Sequence, residues 1–95
     1  MTKSAVVGVG YLGTFHAEKY AKSPRAELVA VVDVDPVKAR AVADRLGCQA
    51  LDDYKKLPEL GVQCASIAAV TAVHFDVALW LLDHGIDVLV EKPIA

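Results

Sequence analysis

The chain has 95 residues, enough for one domain and too few for two; a domain of this size buries roughly 60–65% of the surface its unfolded chain exposes. A composition that is 55% hydrophobic and 23% charged supplies a packed core and excludes a disordered chain. The net charge of −2 excludes a strong electrostatic pull toward nucleic acid or an anionic membrane, so neither is expected as a partner, and any bound phosphate must rely on backbone dipoles.

Met1-Thr2-Lys3-Ser4 leaves no room for a signal peptide before the first apolar run, and no run is long enough to span a membrane, so a cytoplasmic location is expected. The first strand is expected over Ala5 to Val9, apolar throughout and therefore buried on both faces. It leads into Gly8-Val9-Gly10-Tyr11-Leu12-Gly13, a G-x-G-x-x-G fingerprint between a strand and a helix. In that setting Gly8 allows a sharp turn, Gly10 lets the backbone approach a pyrophosphate, and Gly13 allows close helix–strand packing. The helix, Leu12 to Lys22, would offer its free N-terminal amides to the phosphates. Ser23-Pro24 ends it.

The second strand, Glu27 to Val32, runs into Asp33, about 20 residues beyond Gly13, where a carboxylate would meet the hydroxyls of an adenosine ribose. Asp35-Pro36 reads as an N-cap with proline at the first helical position. Ala39, Val42, Ala43 and Leu46 then form one apolar stripe, and Gly47 supplies a left-handed stop. A short third strand, Cys48 to Leu51, precedes a helical turn at Asp52 to Leu57, closed by Pro58. A fourth strand is expected over Gln63 to Val70, a helix over Val73 to Asp83 with His84-Gly85 as its stop, and a fifth strand over Ile86 to Val90. Strands separated by helical segments imply a Rossmann-type parallel sheet with helices on both faces, in the order 3-2-1-4-5, and a ligand crevice beyond the carboxyl ends of the strands.

The fingerprint followed by His16, the run Val32-Asp33-Val34-Asp35-Pro36, and Glu91-Lys92-Pro93 after the fifth strand together resemble the N-terminal domain of the Gfo/Idh/MocA oxidoreductases. The resemblance covers essentially residues 1–95, and Glu91-Lys92-Pro93 is its most specific part. It implies a nicotinamide-dependent enzyme acting on a hydroxyl of a sugar, nucleotide-sugar or cyclitol. Lys92 would sit beside the nicotinamide and contact the reacting hydroxyl, where an ammonium stabilises developing alkoxide charge. Pro93 would fix the backbone there, with a cis peptide as one option. Glu91 is expected to support this segment rather than to catalyse. Members usually carry Thr-Pro after the fourth strand; here Ala69-Val70 occupies those positions, a departure from the family pattern, while His74 matches the family's histidine. The family's second, β-rich substrate domain is absent, so the 95 residues alone are not expected to turn over substrate; a full-length enzyme is expected to be a homo-oligomer.

The candidate cofactor-binding set is therefore Gly8, Gly10, Tyr11, Leu12, Gly13, Asp33, Val70, His74, Glu91, Lys92 and Pro93, with Lys92 the candidate catalytic residue. Each has a plainer reading. The glycine loop could be a tight turn that binds nothing, Asp33 a solvated strand end, and Lys92 a surface lysine, and in each case the functional reading is favoured. Tyr11 is better placed to act through its amide than its ring. His74, near a helix N-terminus, reads on its own as a neutral structural histidine; His16 and His84 read as structural or exposed. Asp33 would repel a 2′-phosphate, which favours NAD, while Lys38 and Arg40 keep NADP as the alternative. Cys48 and Cys64 lack any metal or redox spacing and read as small buried hydrophobes, and no residues have metal-ligand spacing. Trp80 falls on the polar side of its helix, between Asp76 and Asp83, and is expected to be exposed and to touch a second domain, a subunit or further residues of the chain. Two other functions fit the glycine loop: a non-catalytic NAD-binding sensor or interaction module, and a methyltransferase-like nucleoside binder, which leaves Glu91-Lys92-Pro93 without a role.

Overall fold

Five strands pair side by side, all parallel: β1 (Thr2–Val7), β2 (Ala26–Val32), β3 (Gln49–Leu51), β4 (Cys64–Ile67) and β5 (Asp87–Val90). The computed structural model describes residues 2–8, 11–67 and 73–90, and side chains throughout these except at 11–16, 73–75 and 90. Spatial order is β3-β2-β1-β4-β5, as the alternation of elements predicts. The helices are α1 (Tyr11–Lys22), α2 (Pro36–Leu46) and α3 (Val73–Asp83), with a 3-10 helix at Tyr54–Leu60.

Parallel strands must be crossed over by helices, and here the crossovers cover both faces. On one face Val6 and Val31 of the sheet pack with Ala17 of α1 and Val42 and Ala43 of α2. On the other face Ala5, Ala30, Val32, Ala65 and Ile67 pack with Leu57 of the 3-10 helix and Val77 and Leu81 of α3. Ala5 is paired with both Ala30 and Ala65, so three small residues lie abreast at the centre of that face. They leave room for Leu57 and Leu81, both fully buried. Among the described residues the two buried hydroxyls of this interior are both hydrogen-bonded: Ser4 donates to the Glu27 carbonyl at 3.0 Å, and Ser66 pairs with the Tyr20 hydroxyl.

Helix ends follow local chemistry. Asp35 Oδ1 accepts from the Val37 and Lys38 amides, ahead of Pro36. Gly47, at φ +74°, closes α2 by donating to the Ala43 carbonyl. Pro58 does not close the turn before it, as expected from sequence, but lies inside the 3-10 helix. It opens a second short turn, where a missing N–H costs little, and Gly61 ends that turn on the Leu57 and Pro58 carbonyls.

Strand limits differ from the apolar runs. β1 begins at Thr2, because its main chain pairs with Ala26 and Glu27 whatever its side chains. It ends at Val7, so Gly8 already belongs to the turn. β3 and β5 begin one residue later than expected, at Gln49 and Asp87. β4 covers Cys64–Ile67, and the expected continuation to Val70 lies outside the described residues.

The register aligns the strand ends. Leu51, Val32, Val7, Ile67 and Val90 are successive partners across the sheet, so all five strands finish on one row. Whatever follows each strand starts from the same edge.

Candidate functional site at the carboxyl edge of the sheet

Gly8 leaves β1 at φ +90°, a conformation that a side chain would strain. Its amide donates to the Val32 carbonyl at 2.7 Å. That amide is committed to the sheet, so Gly8 contributes the turn rather than a phosphate contact. Three residues later α1 begins. Its first-turn amides, on Tyr11, Leu12 and Gly13, have no acceptor within the helix, as at any helix start. These three candidates are thus placed by their backbone, at the positive end of a 12-residue helix.

Asp33 follows β2 on the neighbouring strand. Its amide donates to the Leu51 carbonyl of β3 at 3.1 Å, which ties the strand end down on its outer side. Its Oδ1 accepts from the Asp35 amide at 2.9 Å, a local bond that aims the carboxylate over the turn into α2. Val7 and Val32 are direct register partners, so the Gly8 turn and Asp33 emerge from adjacent strands at the same level. The two most separated parts of the sequence signal are brought together by strand order alone.

A cleft of about 270 Å³ lies on the β3 side of this edge, lined by residues that include Arg40, Leu51, Asp52 and Lys56. It places two cations next to the strand that Asp33 is tied to. Lys56 also pairs with Asp52 at 3.4 Å. Arg40 carried an expectation from sequence. Lys56 did not, because its position depends on where the 3-10 helix packs beside β2. Lys38 is exposed on α2 and is not among the residues lining this cleft.

Among the remaining candidates, His74 is the second residue of α3, and its side chain is not described; Gly10, Val70, Glu91, Lys92 and Pro93 lie outside the described residues. The peptide before Pro93 lies outside them as well. β5 ends on the common row at Val90.

Two expectations are corrected. Trp80 is half-buried, not an open surface indole: Tyr54 meets it edge to face at 5.4 Å, and His84 stacks on it at 3.7 Å. Two of its ring partners therefore lie within this chain. A helical wheel could not show this, because the covering ring comes from the 3-10 helix. Among the described side chains of α3, the exposed large apolar ones are instead Leu79 and Leu82. The cysteines are half-buried rather than buried, since Cys48 stands just before β3 and Cys64 is the first residue of β4. Burial pushes both thiols up. The Asp87 carboxylate adds to the effect at Cys64, and at Cys48 a hydrogen bond from its own backbone opposes it. Thiols held protonated in this way are poor nucleophiles.

Among the described residues, no helix is long and apolar enough to cross a membrane, and no cluster of His, Cys, Asp and Glu could hold a metal ion.

Known proteins share this arrangement. UDP-N-acetylglucosamine 3-dehydrogenase of Acidithiobacillus ferrooxidans is 38% identical over 91 residues, covering 96% of this chain and 28% of that protein. Its crystal structure superposes with a TM-score of 0.86. Scyllo-inositol 2-dehydrogenase (NAD(+)) of Bacillus subtilis is 37% identical over 97 residues, covering 97% of this chain and 28% of that protein. GenD2 from gentamicin A biosynthesis, solved in complex with NAD, is 33% identical with a TM-score of 0.91, over 97% of this chain and 27% of that one. The chain thus spans little more than a quarter of the length of these relatives. Residues 2–95 match the family described as "Oxidoreductase family, NAD-binding Rossmann fold". With the glycine turn, the open end of α1 and Asp33 on one sheet edge, the chain belongs to this family, the Gfo/Idh/MocA oxidoreductases, and corresponds to its NAD-binding domain.

Proposed function

We propose that this chain is the cofactor-holding part of an NAD-dependent dehydrogenase that acts on a hydroxyl of a sugar, nucleotide-sugar or cyclitol. The observation that carries the reading is the shared strand-end row, which sets the Gly8 turn and the amide end of α1 beside Asp33. A pyrophosphate on the first-turn amides of α1 and a ribose on Asp33 are the two halves of one dinucleotide. The names of the relatives, a UDP-N-acetylglucosamine 3-dehydrogenase and a scyllo-inositol 2-dehydrogenase, support the substrate class.

The residues present fit a dinucleotide. In this reading Gly8 shapes the loop and Gly10 allows close approach. The amides of Tyr11, Leu12 and Gly13 face the phosphates, and Asp33 accepts hydrogen bonds from the ribose hydroxyls. Asp33 then discriminates against a 2′-phosphate by charge, which favours NAD over NADP. When bound, the nicotinamide supplies hydride acceptance. Lys92, in the segment that follows β5, would stabilise the alkoxide formed as the substrate hydroxyl is oxidised. Val70, His74, Glu91 and Pro93 would complete the nicotinamide end. Substrate selection belongs to whatever the full-length protein supplies opposite this edge.

Titration of the chain with NADH and NADPH tests the assignment. Saturable NADH binding, tighter than NADPH, is expected. Absence of binding by either at millimolar concentration would refute it.

A further inference from the structure

Among the described residues the interior of the sheet is apolar except at two hydroxyls, and one of these is bonded to a helix. Ser66, fully buried in β4, shares a hydrogen bond with the Tyr20 hydroxyl of α1. Ser66 is the register partner of Val6 and stands one residue before Ile67, which ends β4 on the common row. An apolar pair there would pack as the rest of this face does, because van der Waals contact tolerates a helix that slides or rolls. A hydrogen bond does not: it requires one distance and one direction.

Ala17 and Glu18 also restrain this helix. Ala17, fully buried, lets α1 lie close against Val6 and Val31. Glu18 reaches in the opposite direction to Arg45 of α2, with Nη2 and Oε1 2.6 Å apart. The helix is therefore held toward β4 by Tyr20 and toward α2 by Glu18. The Glu18–Arg45 pair is partly exposed and belongs to a weak class of interaction. Tyr20–Ser66 is the shielded tether. Tyr20 stands nine residues after Tyr11, about 13 Å down the helix axis from its N-terminus. A small roll about Ala17 therefore displaces the first-turn amides that the proposed function assigns to the pyrophosphate.

We infer that Tyr20 and Ser66 are positioning residues, a hydroxyl pair that fixes the roll of α1 and so aims its N-terminal amides at the dinucleotide's phosphates. The inference rests on the cofactor reading above. It concerns how the site is held, and not which residues touch the ligand.

The test titrates ¹⁵N-labelled chain with NADH and with adenosine, which has no pyrophosphate. The variants are Tyr20→Phe, Ser66→Ala and the two combined. Each single change is expected to weaken NADH binding about 5-fold, the loss of one ordinary hydrogen bond. Adenosine affinity should stay within about 2-fold, because the strand end at Asp33 is tied to the Leu51 carbonyl of β3. The double variant leaves neither hydroxyl unpaired, so its stability should return toward that of the unmodified chain while its NADH affinity stays low. Before any ligand is added, the amide resonances of Leu12 and Gly13 should shift in Tyr20→Phe, and that of Gly47 should not. Unmodified NADH affinity in all three variants, alongside normal binding by the parent chain, would overturn the inference alone. Equal losses for NADH and adenosine would also overturn it, by showing a general loss of fold. A parent chain that binds no NADH would overturn the cofactor reading and this assignment with it.

Discussion

In the proposed complex Asp33 would carry two duties that a single carboxylate can meet at once. One oxygen accepts from the Asp35 amide at 2.9 Å, which fixes the turn. In the proposed complex the side chain also receives the ribose hydroxyls. Asp33→Ser keeps an acceptor for the turn, shortens the reach to the ribose and removes the charge. A hydrogen bond to a charged group contributes about 1.5–3 kcal/mol, so NADH affinity should fall at least about 10-fold. NADPH should gain relative to NADH, because the repulsion of its 2′-phosphate is lifted and Arg40 stands nearby in the β3-side cleft. Paired titrations with the two cofactors check this; unchanged selectivity would remove Asp33 from the ribose. Asp33 was legible in the sequence because its meaning is local: an acidic residue ending an apolar run at a known distance from a glycine turn. The commitment of the Gly8 amide to Val32 was not, because it depends on which strand lies alongside β1. Trp80 was misread for a related reason. A helical wheel describes one helix, and the ring that covers Trp80 arrives from Tyr54, 26 positions earlier in the chain.

At the scale of elements, the 3-10 helix Tyr54–Leu60 does more than connect β3 to β4. Its Leu57 is fully buried in the core cluster that also holds Ala5, Ala30, Ala65 and Leu81. Leu57→Ala would leave a cavity against alanines that have no longer side chain to fill it. The expected cost is about 2–5 kcal/mol. The total stability of a domain this size is about 5–14 kcal/mol, so the loss is a large part of it. Urea denaturation should show a much lower midpoint with an unchanged slope; a shift under about 0.5 kcal/mol would mean that the segment does not pack as described. The segment's helical character was legible at Asp53, which caps it by accepting from the Lys55 amide at 2.9 Å. Its length was not, because Pro58 reads as a stop in an α-helix yet can open a new turn in a short 3-10 run. Strand limits were similarly half-legible. Apolar runs marked where the sheet is buried, while Thr2 and Lys3 joined β1 through main-chain pairing that has no side-chain signature.

For the whole molecule, strand order was legible because alternation of strand and helix with right-handed crossovers leaves few parallel arrangements. What order alone could not reveal is the alignment of all five strand ends on a single row. That alignment follows from a register shift between Ser4 and Ala5, where β2 passes over Val29 without a partner in β1. The row makes the carboxyl edge one continuous surface, onto which a dinucleotide would join α1, β1 and β2. A ligand that binds several elements of the folded chain, and nothing in the unfolded one, stabilises the whole domain by mass action. At a free NADH concentration 100 times its dissociation constant the gain is about 2.7 kcal/mol. In a domain of under 100 residues each kcal/mol moves the melting temperature by about 4–8 °C, so NADH should raise it by about 10 °C or more. NADPH at the same concentration should raise it less, and Asp33→Ser should narrow the difference between the two. Thermal melts followed by circular dichroism at 222 nm, a signal set by the backbone of every element, would show one cooperative transition moving as a unit. A melt in which only the α1 end gained protection, with the midpoint unmoved, would place the ligand on a local site and not across the strand-end row.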